Sequence, residues 1–168
     1  MIIKYEKIMQ DILKDFNKGR RCKTKWLFDL SDDTYIYIAI DGHYILSVPR
    51  CLWMLDTEKI IDQGATLDHN HCFNSVNIFQ MIKNTNMLDT ENFSFLKFNV
   101  LQDKRKAAVF ESESAEQVWI DEKFFKYLDI DLYDLDENVV FSGTTKKAPL
   151  IIHEGNYFIG FLLPINHN

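Results

Sequence analysis

The run Tyr37-Ile38-Ala39-Ile40-Asp41-Gly42-His43-Tyr44-Ile45-Leu46 constrains the fold of this chain more than any other stretch. Asp-Gly between two apolar, β-prone segments is the chemistry of a two-residue hairpin turn. A type I′ turn needs positive φ at both central residues, and glycine meets that demand without a Cβ clash. The spacing predicts antiparallel strands over 34–40 and 43–48, the second closed by Pro49. A third strand over 25–31 precedes them, with Ser31-Asp32-Asp33 as the intervening turn.

Other segments carry the helical period. In residues 2–18, Ile2, Tyr5, Ile8 or Met9, Ile12 and Phe16 recur at helical spacing with charges between them, and Gly19 follows as a C-cap. Part of that helix, Gln10 to Phe16, has the Gln, Leu and Phe of a clamp-docking peptide; helical spacing assigns Leu13 and Phe16 to the core instead. Residues 93–101 and 107–112 read as strands joined by the basic turn Asp103-Lys104-Arg105-Lys106. Residues 114–129 read as a second helix, with Ser114 as N-cap and Gln117 completing a capping box; Val118 or Trp119, Phe124 or Phe125, and Leu128 would be buried. Short strands then follow in DLYDL, ENVVFSG, PLIIHEG and NYFIGFLLPI, with a turn at Gly155-Asn156. Between the halves, 50–92 reads as an irregular insertion with helical pieces at 52–62 and 75–84.

The class is therefore α+β: a mostly antiparallel sheet with two principal helices and an inserted irregular or helical segment. At 168 residues the chain has one domain's length, with a core in 2–49 and 93–165. Hydrophobic residues make up 46%, enough for a packed interior. Cys22, Cys51 and Cys72 form no disulfide-scaffold pattern, no secretory leader is visible, and no apolar run has membrane-spanning length. These features point to a soluble, intracellular protein.

Charge is divided unevenly along the chain. Residues 1–30 hold eight Lys/Arg against four Asp/Glu, whereas 111–137 hold ten acids against Lys123 and Lys126. An acidic block of that density repels nucleic acid and attracts cationic surfaces. Enzymatic signatures are missing: there is no G-x-S-x-G, P-loop or G-x-G-x-x-G pattern. His69, His71 and Cys72 crowd into Asp68-His69-Asn70-His71-Cys72, as in an HNH-type nuclease or a zinc site. No second His/Cys pair completes four ligands, so a polar loop is the better reading. His43, beside the hairpin turn, reads as structural.

A strand entering Asp41-Gly42-His43 and leaving through Tyr44-Ile45 resembles the T-D-G-H-R-L signature of bacterial DNA polymerase sliding-clamp domains. Ala148-Pro149-Leu150-Ile151-Ile152 and Tyr157 through Pro164-Ile165 occupy the places of that family's closing S-P-L-x-I and Y-x-x-M-P-x-R-L segments. The chain departs from it at Tyr44, where the family has Arg, and in being acidic where a clamp channel is basic. Taken together, these features are similar to those of the small sliding-clamp inhibitors of staphylococcal phages. That resemblance implies a single clamp-like domain with no enzymatic activity, cofactor or metal. It implies a homodimer in the cytoplasm of the infected host, which binds the bacterial DNA polymerase III sliding clamp (beta subunit), occupies its DNA channel and blocks loading and replication. Glu113, Glu116, Asp121, Glu122 and Asp129 are then the expected partner-binding residues, followed by Asp32 and Asp33. The alternatives are a clamp-like processivity or scaffold subunit and, behind it, the metal-dependent nuclease.

Overall fold

The structure is a computed structural model and describes residues 2–18, 25–30, 32–58, 66–67, 72–73, 76–77, 90–144 and 148–165. These fall into two compact units, one drawn from residues 3–83 and the other from 84–165 together with Ile2. Gly19, Arg20, Arg21 and Lys23 of the first basic region lie outside the described residues, as do His69 and His71.

In the unit drawn from 3–83, helix α1 (Tyr5–Asn17) buries Ile8, Met9 and Ile12 along one stripe. Leu13 falls off that stripe and is exposed, contrary to the core position expected for it. A helical Gln10–Phe16 is also not the extended peptide that clamp docking requires. Strands β1 (Trp26–Asp29), β2 (Tyr35–Ile40) and β3 (Tyr44–Pro49) form an antiparallel meander. The β2–β3 register pairs Ile40 with Tyr44, so the hairpin forms where the sequence places it but through three residues, Asp41-Gly42-His43, rather than two; Asp41 and Gly42 take the expected positive φ values of 53° and 70°. Both faces of β2 and β3 are nearly closed to solvent, which suits their unbroken Tyr/Ile/Leu/Val composition.

Three polar devices fix this unit. The Asp32 carboxylate accepts from the backbone N–H of Thr34 (2.7 Å) and Tyr35 (2.9 Å), shaping the β1–β2 turn. Arg50 clamps the same turn by donating to the carbonyls of Asp32 (2.7 Å) and Leu30 (2.5 Å). Fully buried Trp26 donates its indole N–H to Asp15 of α1 at 2.9 Å, and Lys25 pairs with the same carboxylate at 3.1 Å. A two-residue strand, β4 (Thr66–Leu67), runs parallel to β1. Beyond it, β5 (Cys72–Phe73) pairs with β6 (Val76–Asn77), so the helix expected over 75–84 is replaced by a strand at its start; the rest of that segment lies outside the described residues. Of the helix expected over 52–62 only 52–58 are described: a 3-10 turn spans Arg50–Leu52, residues 53–56 are not helical, and helical backbone begins at Thr57. Trp53 packs edge-on against Phe28 with 6.0 Å between ring centroids.

The second unit is built on β7 (Glu91–Gln102), β8 (Arg105–Ser112) and β9 (Gln117–Asp121), followed by a 3-10 turn (Glu122–Phe125). Strands β10 (Val139–Gly143), β11 (Leu150–Glu154) and β12 (Tyr157–Leu162) complete it. All pairings among these strands are antiparallel, in the order β9-β8-β7-β10-β11-β12. Phe110, fully buried, is the hub of an aromatic cluster: ring centroids lie 4.8 Å away for Phe141, 5.6 Å for Phe95 and 6.2 Å for Phe125.

The helix expected over 114–129 does not form, and the molecule has one principal helix rather than two among the described residues. The physical reason lies at residues 112–116. Ser112 takes the Glu116 carbonyl with its N–H at 2.9 Å, its hydroxyl accepts the Glu116 N–H at 3.1 Å, and Ala115 adopts φ 64°. This tight turn sends the chain back along β8, so Val118 and Ile120 are buried on one face while Trp119 points to the other. Gln117 donates to Glu111 across the strands at 2.9 Å instead of capping a helix. DLYDL is also not a strand. Asp131 and Asp136 each accept the backbone N–H two residues on, from Tyr133 and Asn138 at 2.9 Å, and these local bonds hold the segment as successive turns.

Candidate functional site

The acidic block predicted by the sequence occupies two connections of the second unit. The β8–β9 turn exposes Glu113 and Glu116. The connection from the 3-10 turn to β10 exposes Asp129, Asp131, Asp134, Asp136 and Glu137, and residues 127–145 contain no Lys or Arg. The backbone of this second connection is anchored at both ends. Asp129 donates its N–H to the carbonyl of Ile2 at 2.6 Å, and Val139 donates to the carbonyl of Asp136 at 3.0 Å. Tyr133 places its ring edge-on against Phe95 at 5.0 Å, tying the middle of the loop to the aromatic cluster. The carboxylates are thus carried on a braced loop, which lowers the side of the binding cost that comes from ordering a flexible segment.

The individual candidates differ in what their side chains do. Asp121 is 4% exposed and accepts the Lys123 N–H at 3.0 Å, capping the 3-10 turn. That inward, structural role takes its carboxylate off any outward acidic face. Glu122 is half-buried and pairs with Lys106 at 3.5 Å, so part of its charge is met within the chain. Glu113, Glu116 and Asp129 point to solvent. Asp32 and Asp33 belong to the other unit; Asp32 is engaged by its own turn and Asp33 is exposed. Asp131, Asp134, Asp136 and Glu137 belong to the acidic stretch 111–137 but are not among the residues expected first from sequence; the strand expected over 131–135 would have turned alternate carboxylates to opposite faces.

Close to the β8–β9 turn, Glu91 accepts the hydroxyl of Ser114 at 2.5 Å, and this bond and a second from Ser112 hold its carboxyl below the usual range. In the first unit, burial first and then nearby carboxylates push the Tyr37 hydroxyl up to about 12. Burial and the carboxylates of Asp41 and Asp11 push Tyr44 higher still. His153 is lowered by burial alone and packs edge-on to Phe158 at 5.9 Å.

No group of three or more His, Cys, Asp or Glu side chains converges in a metal-binding arrangement among the described residues; His69 and His71 lie outside them. No helix among the described residues is long and apolar enough to cross a membrane. Comparison with protein-family models, with curated proteins and with solved structures finds no match for the chain.

Proposed function

We propose that this chain is a phage-encoded binding protein that inhibits the host's bacterial DNA polymerase III sliding clamp, acting without catalysis in the host cytoplasm. On this reading it is a clamp-like domain that works as a homodimer. It lays carboxylates against the cations lining the clamp channel, excludes DNA and blocks loading. The observation that carries the reading is the braced loop Asp129–Glu137: five exposed carboxylates in nine residues with no compensating cation. Charge placed on a fixed scaffold, opposite a surface built to meet phosphates, gives fast and salt-sensitive association.

The order of elements supports the clamp-like part. One unit runs from α1 into the meander β1-β2-β3, and the other from the 3-10 turn into the meander β10-β11-β12. A helix leading into three antiparallel strands occurs once, in α1 and β1-β2-β3; the second three-strand meander follows only a four-residue 3-10 turn, so the likeness to the plan suggested by the Asp41-Gly42-His43 hairpin and the C-terminal strands lies in the strands.

The test is capture of purified clamp by the immobilised chain. The wild-type chain retains the clamp at low salt and releases it as salt rises. A variant with Glu113, Glu116, Asp129, Asp134 and Glu137 changed to Lys loses it at both. These positions are exposed, and neither Asp131 nor Asp136, which hold the turns, is altered. Full retention by the variant rejects the charge-based mechanism.

A further inference from the structure

The β7–β8 hairpin carries a second surface of opposite character. β7 pairs with β10 only through Glu91, Asn92 and Phe93, while its pairing with β8 continues to Gln102. From Ser94 to Leu101, the edge of β7 that faces away from β8 therefore meets no strand among the described residues. An open edge presents alternate N–H and C=O groups as a template for another strand.

Three further features mark this length of edge. Leu101 is 78% exposed and Phe98 45%, two of the large apolar side chains left open to solvent on the described surface. Residues 96–106 hold Lys97, Lys104, Arg105 and Lys106 against Asp103 alone, on a chain whose formal net charge is -6. Between Phe95 and Asn99 the register with β8 shifts, and Lys97 takes φ 60°, so a bulge separates the outer part of the arm from the β10-paired part.

From these we infer that the outer β7 edge, Ser94–Leu101, is a docking strand for an extended acidic peptide segment of a protein partner, added as a further strand of the sheet. Main-chain bonds along the open edge supply affinity. Leu101 and Phe98 receive apolar side chains, and Lys97, Lys104 and Arg105 meet carboxylates that alternate with them. The exposed cations alone would suit nucleic acid equally well. The peptide edge, which has no partner strand among the described residues, and the two apolar side chains favour a polypeptide, because phosphodiester chains offer no matching ladder of N–H and C=O groups.

The experiment titrates the full chain into a fluorescent, capped peptide of alternating Asp and Val/Ile residues and reads anisotropy. The same peptide N-methylated throughout its central residues serves as the control. The expected result is saturable binding that weakens by about tenfold or more on N-methylation and again in the double variant Leu101→Asp, Arg105→Glu. Equal binding of the N-methylated peptide overturns strand addition, and it does so without any variant of the protein. Absence of binding overturns the proposal. So does displacement of the peptide by an equal concentration of oligothymidylate, which would make the arm a nucleic-acid surface. Self-association of the chain that Leu101→Asp abolishes also overturns it, by assigning the edge to a second copy.

Discussion

Single residues decide where this chain turns. Ala115 holds φ 64°, a region where an L side chain crowds its own carbonyl, and it does so because Ser112 closes the turn from both sides. Ala115→Gly relieves that crowding at the cost of a freer unfolded chain, and urea unfolding should show a net gain of about 0.5–1 kcal/mol. Asp121 belongs to the same scale. If its carboxylate is a cap, Asp121→Ala lowers stability by about 1 kcal/mol in the same assay while leaving clamp capture unchanged. A loss of capture at full stability would return Asp121 to the binding surface.

His153 links a residue to pH. Burial holds its folded-state value below the ordinary 6.5, so the folded form takes up the proton less readily than the unfolded chain. The contribution is complete above the unfolded value and is lost as pH falls through it toward the folded one. Thermal midpoints should therefore decline on acidification from near neutrality, and His153→Gln should flatten that part of the profile. An unchanged profile would assign the decline to other groups.

At the scale of elements, local turn chemistry and strand alternation were legible, whereas the choice between helix and strand was not always so. The Asp41-Gly42 hairpin and the strand segments at 25–31, 34–40 and 93–112 appear where their residues place them, because alternation and positive-φ turns leave few options. Residues 114–129 misled for a specific reason. Ser114 and Gln117 have capping-box spacing, but Val118, Trp119 and Ile120 also alternate, and the Ser112 turn selects the strand. Leu128 is buried as expected, and of the alternatives that helical spacing left open Val118 and Phe124 are the buried ones, though on other elements than the helix. The acidic surface was legible as charge in 111–137, but not the division within it. Only burial separates Asp121, turned inward, from Asp129–Glu137, turned outward. The aromatic cluster around Phe110 then holds β7, β8 and β10 in register with the braced acidic loop. Phe110→Ala should cost about 3–5 kcal/mol in urea unfolding, as expected for an emptied aromatic site. A cost below about 1 kcal/mol would mean that the cluster is not the core of its unit.

At the scale of the whole molecule, charge is separated along the chain. The chain's net -6 combines a basic early region and the cationic β7–β8 arm with exposed carboxylates on two connections of one unit. Such an arrangement favours contact with a partner of fixed, opposite charge more than general solubility would require. The measurement that reaches this claim most directly is clamp loading onto labelled duplex DNA, with the chain titrated onto free clamp before loading and the series repeated at increasing salt. The expected result is that the chain prevents loading, and that its apparent affinity falls by about tenfold or more between low and physiological ionic strength. Clamp that loads DNA normally in the presence of excess chain, or inhibition that is indifferent to salt, would contradict it.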